Sequence, residues 1–89
     1  MAHVDEQLLL TRAHLAFEAT AIGEALLDCD FEEARFRCHL LRAYAGEHEF
    51  EAVAEGAVDV LAHLPPGAPP RAGIGRALLR LTDVIDDAG

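Results

Sequence analysis

The chain has 89 residues, of which 52% are apolar, and its 16 acidic and 7 basic residues give a formal net charge of −9 at pH 7. This length predicts one domain spanning residues 1–89, and the high apolar content excludes a disordered chain. The acidity argues against nucleic acid and against an anionic membrane as partners, because both attract basic surfaces.

The first predicted helix runs from about Asp5 to Leu27 and is apolar around most of its circumference. One face at helical spacing consists of Leu8, Leu15, Ala19, Ile22 and Leu26. Beside it lies a stripe of Leu9, Ala16, Gly23 and Leu27, and Leu10 and Phe17 occupy a third side. The polar strip consists of Gln7, Thr11, His14 and Glu18. Such a helix is either central to its domain or partly covered by another chain.

The second predicted helix follows a turn at residues 28–30, where Asp30 and Glu33 match a capping box, and it ends at Gly46. Its core face consists of Phe31, Ala34, Cys38, Leu41 and Ala45, and its second apolar side of Phe36, Leu40 and Tyr44.

The third predicted helix extends from about His48 to Leu64, because Pro65 disfavours a helical conformation in the residue before it. Its buried stripe consists of Phe50, Val53, Ala54, Ala57, Val60, Leu61 and Leu64. A proline-rich connector follows, and Pro70 suits the first turn of a fourth helix that runs to about Asp87. The inward residues of this last helix are Ile74, Ala77, Leu78, Leu81, Val84 and Ile85.

These elements predict an all-α fold of four helices in consecutive antiparallel hairpins, either a helical bundle or a tetratricopeptide-like stack. Within residues 37–65, the pattern of Leu40, Tyr44, the Gly46 turn, Phe50 and Pro65 resembles a tetratricopeptide-type helical hairpin. The chain departs from that family at Leu41, where the family has glycine, at Arg37 in the tryptophan-type position, and at Val53 and Ala57, which replace an alanine and a bulky residue. The resemblance implies a peptide- or protein-binding adaptor without enzymatic activity.

The small residues Ala16, Ala19 and Gly23 allow another helix to approach the first one closely. That helix is either the second or the fourth of the same chain, or the equivalent helix of a second copy across a two-fold axis. We expect a homodimer, and the predicted interface consists of Leu9, Ala16, Phe17, Gly23 and Leu27.

The charges of the fourth helix oppose its dipole, because arginines precede aspartates. We expect Arg76 and Arg80 to pair with the acidic strip of the third helix, within the chain or across a dimer. That strip consists of Glu51, Glu55 and Asp59. The alternative is that all of these are scattered surface charges of little energetic weight.

Reactive chemistry has little support in the sequence. The candidate ligands for a metal or small-ligand site are His14, Glu18, Cys38 and His39, and no Glu-x-x-His or Cys-x-x-Cys pattern is present. The absence of serine and lysine excludes a serine nucleophile and a Schiff-base lysine. We therefore expect no cofactor, no metal and no catalytic residue.

The sequence thus favours a small acidic adaptor or regulatory protein that binds another protein or peptide. The N-terminal residues lack the features of a signal peptide, and two cysteines are too few for a disulfide framework, so we expect a cytoplasmic protein with free thiols. Two alternatives stay open: a helical-bundle metal or small-ligand binder, and an acidic mimic that inhibits a basic site on a partner.

Overall fold

The computed structural model describes residues 5–88, and four α-helices make up most of this range. They are α1 (Glu6–Leu27), α2 (Phe31–Glu47), α3 (Glu51–Ala62) and α4 (Ile74–Asp87). No strand occurs in the described range, so the all-α prediction is confirmed. None of the helices in residues 5–88 combines the length and apolarity needed to cross a membrane.

The helices form a closed ring. Each packs against the next one along the chain, and α4 returns to contact α1, so that α1 and α3 lie diagonally across the bundle, as do α2 and α4. This is the arrangement of an up-and-down helical bundle, one of the two predicted from the sequence. The bundle is elongated, with extents of 52 × 20 × 20 Å. The hairpin of α2 and α3 covers most of the tetratricopeptide-like pattern, and that resemblance stays a prediction.

The core is a column of apolar side chains contributed by all four helices. Its largest fully buried members are Leu15, Ile22, Leu41, Leu64, Leu81, Val53, Val60 and Cys38. The predicted inward faces of α3 and α4 are all buried or half-buried, and so is the predicted core face of α2. Leu8 differs from the prediction, because it is 37% exposed although its spacing places it on the inner face of α1.

The two tight turns have the same geometry. Cys29 and Glu49 adopt left-handed backbone conformations, with φ of 58° and 63°. The next residue in each turn, Asp30 or Phe50, donates its backbone N–H across the turn to the carbonyl of Ala25 or Ala45, at 2.8 Å in both cases. These are Schellman-type helix ends.

The turns correct two predicted boundaries. Because Glu49 and not Gly46 takes the left-handed position, α2 continues through Gly46 to Glu47, and α3 begins at Glu51, three residues later than predicted. The predicted cap of α2 is confirmed, since the Asp30 side chain accepts a hydrogen bond from the Glu33 backbone N–H at 3.2 Å.

The connector between α3 and α4 is longer than predicted. Helix α4 begins at Ile74, after Gly73 with φ of 95°, so the prediction that Pro70 lies in its first turn is wrong. The Arg71 backbone N–H donates to the His63 carbonyl at 2.8 Å, which folds the connector back onto the end of α3.

Candidate protein-binding surface

The polar strip of α1 lies partly inside the bundle. Thr11 and Glu18 are buried, with only 3% and 7% of their surface exposed. The Arg37 Nη1 donates to the Glu18 carboxylate at 3.3 Å, and its Nε donates to Glu33 at 2.9 Å. These bonds, with Glu33 contributing more than Glu18, hold the pKa of Arg37 above its ordinary value. The boundary between α1 and α2 is therefore polar.

Aromatic rings extend this polar boundary towards the N-terminal end of α1. The ring of Tyr44 lies 4.3 Å from that of His14 and 4.3 Å from that of His48, measured between centroids. The Nε2 of His14 is 3.8 Å from the Glu18 carboxylate. Helix α2 thus covers the polar side of α1 and leaves another side to solvent.

Much of the outward side of α1 is apolar, with Glu24 as an exposed charge among its residues. Of the nine large apolar side chains that are exposed in residues 5–88, five belong to this helix: Leu8, Leu9, Leu10, Phe17 and Leu27. Leu27 is 85% exposed and Phe17 is 63% exposed, which is unusual for side chains of this size on an ordered helix. The other helices share the remaining four, which are Phe36, Leu40, Val58 and Leu79.

The predicted interface residues lie on this outward side, with one partial exception. Leu9, Ala16, Phe17 and Leu27 are exposed. Gly23 is half-buried against α4, because a Cβ at this position would lie 3.6 Å from Leu78 Cδ2. Ala19, which was grouped with Ala16 and Gly23 as a small residue that allows close helix approach, is buried in the core. Gly23 therefore packs against α4, whereas Leu9, Ala16, Phe17 and Leu27 are available to a partner.

The exposed residues form a longer stripe than sequence reasoning recognised. Leu9, Ala13, Ala16, Thr20, Gly23 and Leu27 are separated by alternating steps of four and three residues, and we call them the outer stripe. All are exposed except half-buried Gly23, and none is charged. Ala13 and Thr20 were missed, although the heptad spacing typical of paired helices would have identified them.

The N-terminal end of α1 projects beyond the rest of the bundle. Glu18 contacts Arg37 and His14 contacts Tyr44, and these contacts fix the position of α2 along the axis of α1. Helix α2 ends at Glu47, one turn beyond Tyr44. On the other side, the Arg12 Nη2 donates to the carbonyl of Asp86 near the end of α4. The residues before Thr11 therefore extend past both neighbours. Among them are Leu8, Leu9 and Leu10, all exposed, which we call the leucine turn.

The opposite end of α1 borders an apolar groove. A cavity of about 410 Å³ lies where the end of α1, the start of α2, the connector and α4 meet. We call it the end groove, and its lining consists of Gly23, Leu26, Leu27, Phe31, Pro70, Ile74, Gly75 and Leu78. Leu27 and Gly23 belong to both the outer stripe and the groove, so the two surfaces are continuous.

One of the predicted charge pairs is present within the chain. Arg80 Nη2 donates to the Asp59 carboxylate at 2.7 Å and links α4 to α3. Within residues 5–88, Glu51, Glu55 and Arg76 form no ion pair. The unfavourable interaction of the α4 arginines with the helix dipole is thus offset at Arg80.

The residues named for a metal site do not assemble into one. Cys38 is fully buried, and burial raises the pKa of its thiol to about 12, whereas the neighbouring His39 is exposed. Among the described residues, no group of three His, Cys, Asp or Glu side chains has a geometry that would hold a metal ion. Cys29 and Cys38 are both free thiols.

The outer stripe, the leucine turn and the end groove offer contact area and shape and no reactive group. Apolar side chains at such surfaces would be removed from water on association with another molecule. No family model, no curated protein and no solved structure matches this chain.

Proposed function

We propose that this protein is a small acidic cytoplasmic adaptor or regulatory protein that acts by binding another protein through the outward side of α1, and that it forms a homodimer. The observation that carries the proposal is the distribution of side chains on α1. The helix buries the carboxylate of Glu18 and leaves Phe17 and Leu27 more than half exposed.

The exposed apolar surface of α1 can provide free energy for association. Complete burial of a leucine or phenylalanine side chain is worth roughly 1.5–3 kcal/mol. Leu9 and Leu27 lie along one side of α1 and Phe17 lies on the adjacent side, so a partner that packs across both sides can cover all three. Contiguous apolar surface of this kind is typical of protein-interaction sites.

The charge distribution limits where a second copy can bind. Two chains of net charge −9 repel each other, and they approach most easily where each is uncharged. The outer stripe contains no charged residue between Leu9 and Leu27. A partner protein or peptide that carries an apolar helix would use the same surface.

Sedimentation velocity tests the homodimer. We expect the wild-type protein to shift from monomer to dimer over a range from about 1 to about 200 µM, which covers micromolar dissociation constants. Phe17→Asp should stay monomeric across this range because it places a charge in the apolar surface. Val58→Asp is the matched control, because Val58 is 45% exposed on α3, which lies diagonally across the bundle from α1. A wild-type protein that is monomeric at every concentration would contradict the homodimer.

Binding to other proteins needs a separate measurement with the same variants. Crosslinking in cell extract followed by mass spectrometry should identify partners that bind wild type and Val58→Asp and are lost with Phe17→Asp. Partners retained equally by all three proteins would show that the outward side of α1 is not the adaptor surface.

A further inference from the structure

We infer that the outer stripe pairs with the outer stripe of a second copy in an antiparallel arrangement, in which Leu9 packs against the partner's Leu27 and the leucine turn covers the partner's end groove. This inference rests on the proposed dimer and specifies its geometry. It assigns the end groove as a binding site for apolar side chains, and it makes that site incomplete without the second chain.

The spacing of the outer stripe is self-complementary. In an antiparallel helix pair, residues of the two alternating heptad positions face each other. Centring the two-fold axis between Ala16 and Thr20 sets Ala16 against the partner's Thr20. The same axis sets Ala13 against the partner's Gly23, and Leu9 against the partner's Leu27. The large side chains then meet at the ends, and the small residues meet in the middle, where the helices approach most closely.

Phe17 occupies a special position in this arrangement. It follows Ala16 in the sequence and lies at the level of the two-fold axis, on the side of α1 next to the outer stripe, where it faces the partner's Phe17. Aromatic pairs contribute beyond their buried area, and a two-fold axis brings identical side chains together. The pair would cover a phenylalanine that is 63% exposed in the single chain.

The two ends of α1 complement each other in the same register. The leucine turn projects beyond α2 and α4, so its own bundle does not cover it. The end groove adjoins Leu27, and its lining is almost entirely apolar. An antiparallel partner places each leucine turn over the other chain's groove. A parallel partner would place the two leucine turns together and leave both grooves open.

The available area suits a weak but specific dimer. Helix α1 is about 33 Å long and about 10–12 Å wide, so a contact strip one helix wide covers roughly 350 Å² per chain. The total of roughly 700 Å², to which the contact of the leucine turn with the end groove adds, falls in the range of weak interfaces below about 1,200 Å². An unrelated partner would not require the near-symmetric order of large and small residues that the outer stripe has.

A charge-exchange experiment tests the register. Leu9→Lys and Leu27→Asp should each weaken homodimerisation at least about tenfold, because each places two charges against leucine. Mixing the two variants should restore dimers, since the introduced ammonium of one chain then faces the introduced carboxylate of the other, while the second end keeps its leucine pair. Within one chain the two positions are about 27 Å apart along α1, so they cannot neutralise each other.

The controls separate this inference from the proposed function. Val58→Lys and Val58→Asp, alone or mixed, should dimerise like wild type, and circular dichroism should show unchanged helicity for every variant. Weakened homodimers that mixing fails to restore would overturn the register and leave the proposed dimer intact. A wild-type monomer at all concentrations would overturn both the register and the homodimer.

A distance measurement tests the same register without altering the interface. Cys29 is exposed and Cys38 is fully buried, so a spin label attaches selectively at Cys29 of the wild-type protein. The antiparallel register separates the two labelled residues by about 33 Å along the helix axis, whereas a parallel pair would bring them within about 10 Å. Double electron–electron resonance should therefore give a distance above about 30 Å, and a distance below about 20 Å would exclude the antiparallel register.

Discussion

Helices α1 and α4 are neighbours in the bundle, and they distribute their polar side chains in opposite ways. In α4, apolar residues such as Leu81 and Ile85 are buried, while Arg76 and Asp83 are exposed. In α1, Glu18 is buried, while Phe17 and Leu27 are exposed. The bundle by itself accounts for the pattern of α4 apart from Leu79, which is 66% exposed.

The pattern of α1 needs a second explanation. Burial of a carboxylate costs desolvation free energy, which the contact with Arg37 has to offset. Exposure of Phe17 and Leu27 gives up the stabilisation that burial would provide. Both features are consistent with a helix whose polar side is covered by α2 and whose apolar side is covered by another chain. The following predictions test this difference.

The largest effect should separate the two sides of α1. Leu15 is fully buried and Phe17 is 63% exposed, although they are two residues apart. Leu15→Ala should lower the free energy of unfolding by about 3–5 kcal/mol because it leaves a cavity in the core. Phe17→Ala should lower it by less than about 0.5 kcal/mol, the usual range for a surface position.

Urea denaturation at submicromolar concentration measures this pair in the monomer. At high concentration the difference should narrow, because Phe17→Ala then also loses the stabilisation that dimerisation gives to the folded chain. Equal losses for the two variants at low concentration would mean that Phe17 is covered within the single chain.

The next effect concerns the polar boundary between α1 and α2. Arg37→Met removes the only guanidinium that contacts the Glu18 carboxylate in the described residues, and leaves that carboxylate with His14 at 3.8 Å. We expect a loss of stability smaller than that of Leu15→Ala and larger than that of Phe17→Ala. The double variant Glu18→Leu with Arg37→Met should recover most of it, because no unpaired buried charge remains. Thermal unfolding of Glu18→Leu, Arg37→Met and the double variant measures the coupling free energy between the two residues. If the losses of stability of the two single variants add up to that of the double variant, the ion pair contributes no interaction energy.

A smaller effect compares the two contacts that α4 makes with its neighbours. A Cβ at Gly56 would lie 3.0 Å from Leu81 Cδ1 and 3.4 Å from the Leu81 Cα, whereas one at Gly23 would meet only Leu78 Cδ2 at 3.6 Å. Gly56→Ala should therefore destabilise the protein by about 1 kcal/mol despite the better helix propensity of alanine. Gly23→Ala should stabilise the monomer by up to about 1 kcal/mol. Chemical denaturation measures both, and the same sign for the two variants would mean that α4 packs equally tightly on α1 and α3.

Much of the fold was predictable because apolar residues recur at helical spacing. The inward faces of α3 and α4 follow from this period, and the Asp30 cap follows from local hydrogen-bonding chemistry. The helix boundaries at Glu47 and Ile74 were not predictable by the same reasoning. In the first case a non-glycine residue, Glu49, takes a left-handed conformation, and in the second the connector folds back through a backbone hydrogen bond of Arg71.

The candidate surface was predictable in part. The sequence showed that α1 has more apolar surface than one core face requires, and it identified Leu9, Phe17 and Leu27. It did not show which side of α1 is left open, because a helix that is apolar around its circumference has several equivalent orientations. The end groove also depends on residues far apart in the chain, such as Phe31 and Leu78, which only tertiary packing brings together.

The two cysteines contrast a turn with the core. Cys29 is exposed, and Cys38 is fully buried with its thiol pKa raised to about 12 by burial. A thiol reagent should modify one cysteine per folded chain and two per unfolded chain, because the thiolate is the reactive species. Modification of both cysteines in the folded protein at a rate faster than global unfolding would show that the core around Cys38 opens locally.

The same thiol predicts a direction for alkaline stability. Cys38 ionises with a pKa near 9.0 in the unfolded chain and about 12 in the folded one, so the unfolded chain releases this proton first as the pH rises. The stabilisation that the protonated thiol contributes is complete below about pH 9 and is lost as the pH rises towards 12. Cys38→Ala should flatten this decline in unfolding free energy, although the cavity lowers its stability at pH 7. Cys29→Ala should keep the full alkaline decline in unfolding free energy. The other titrating groups are common to both variants, so their contributions cancel when the two variants are compared. An equal dependence of unfolding free energy on pH for the two variants would mean that Cys38 does not stay protonated in the core.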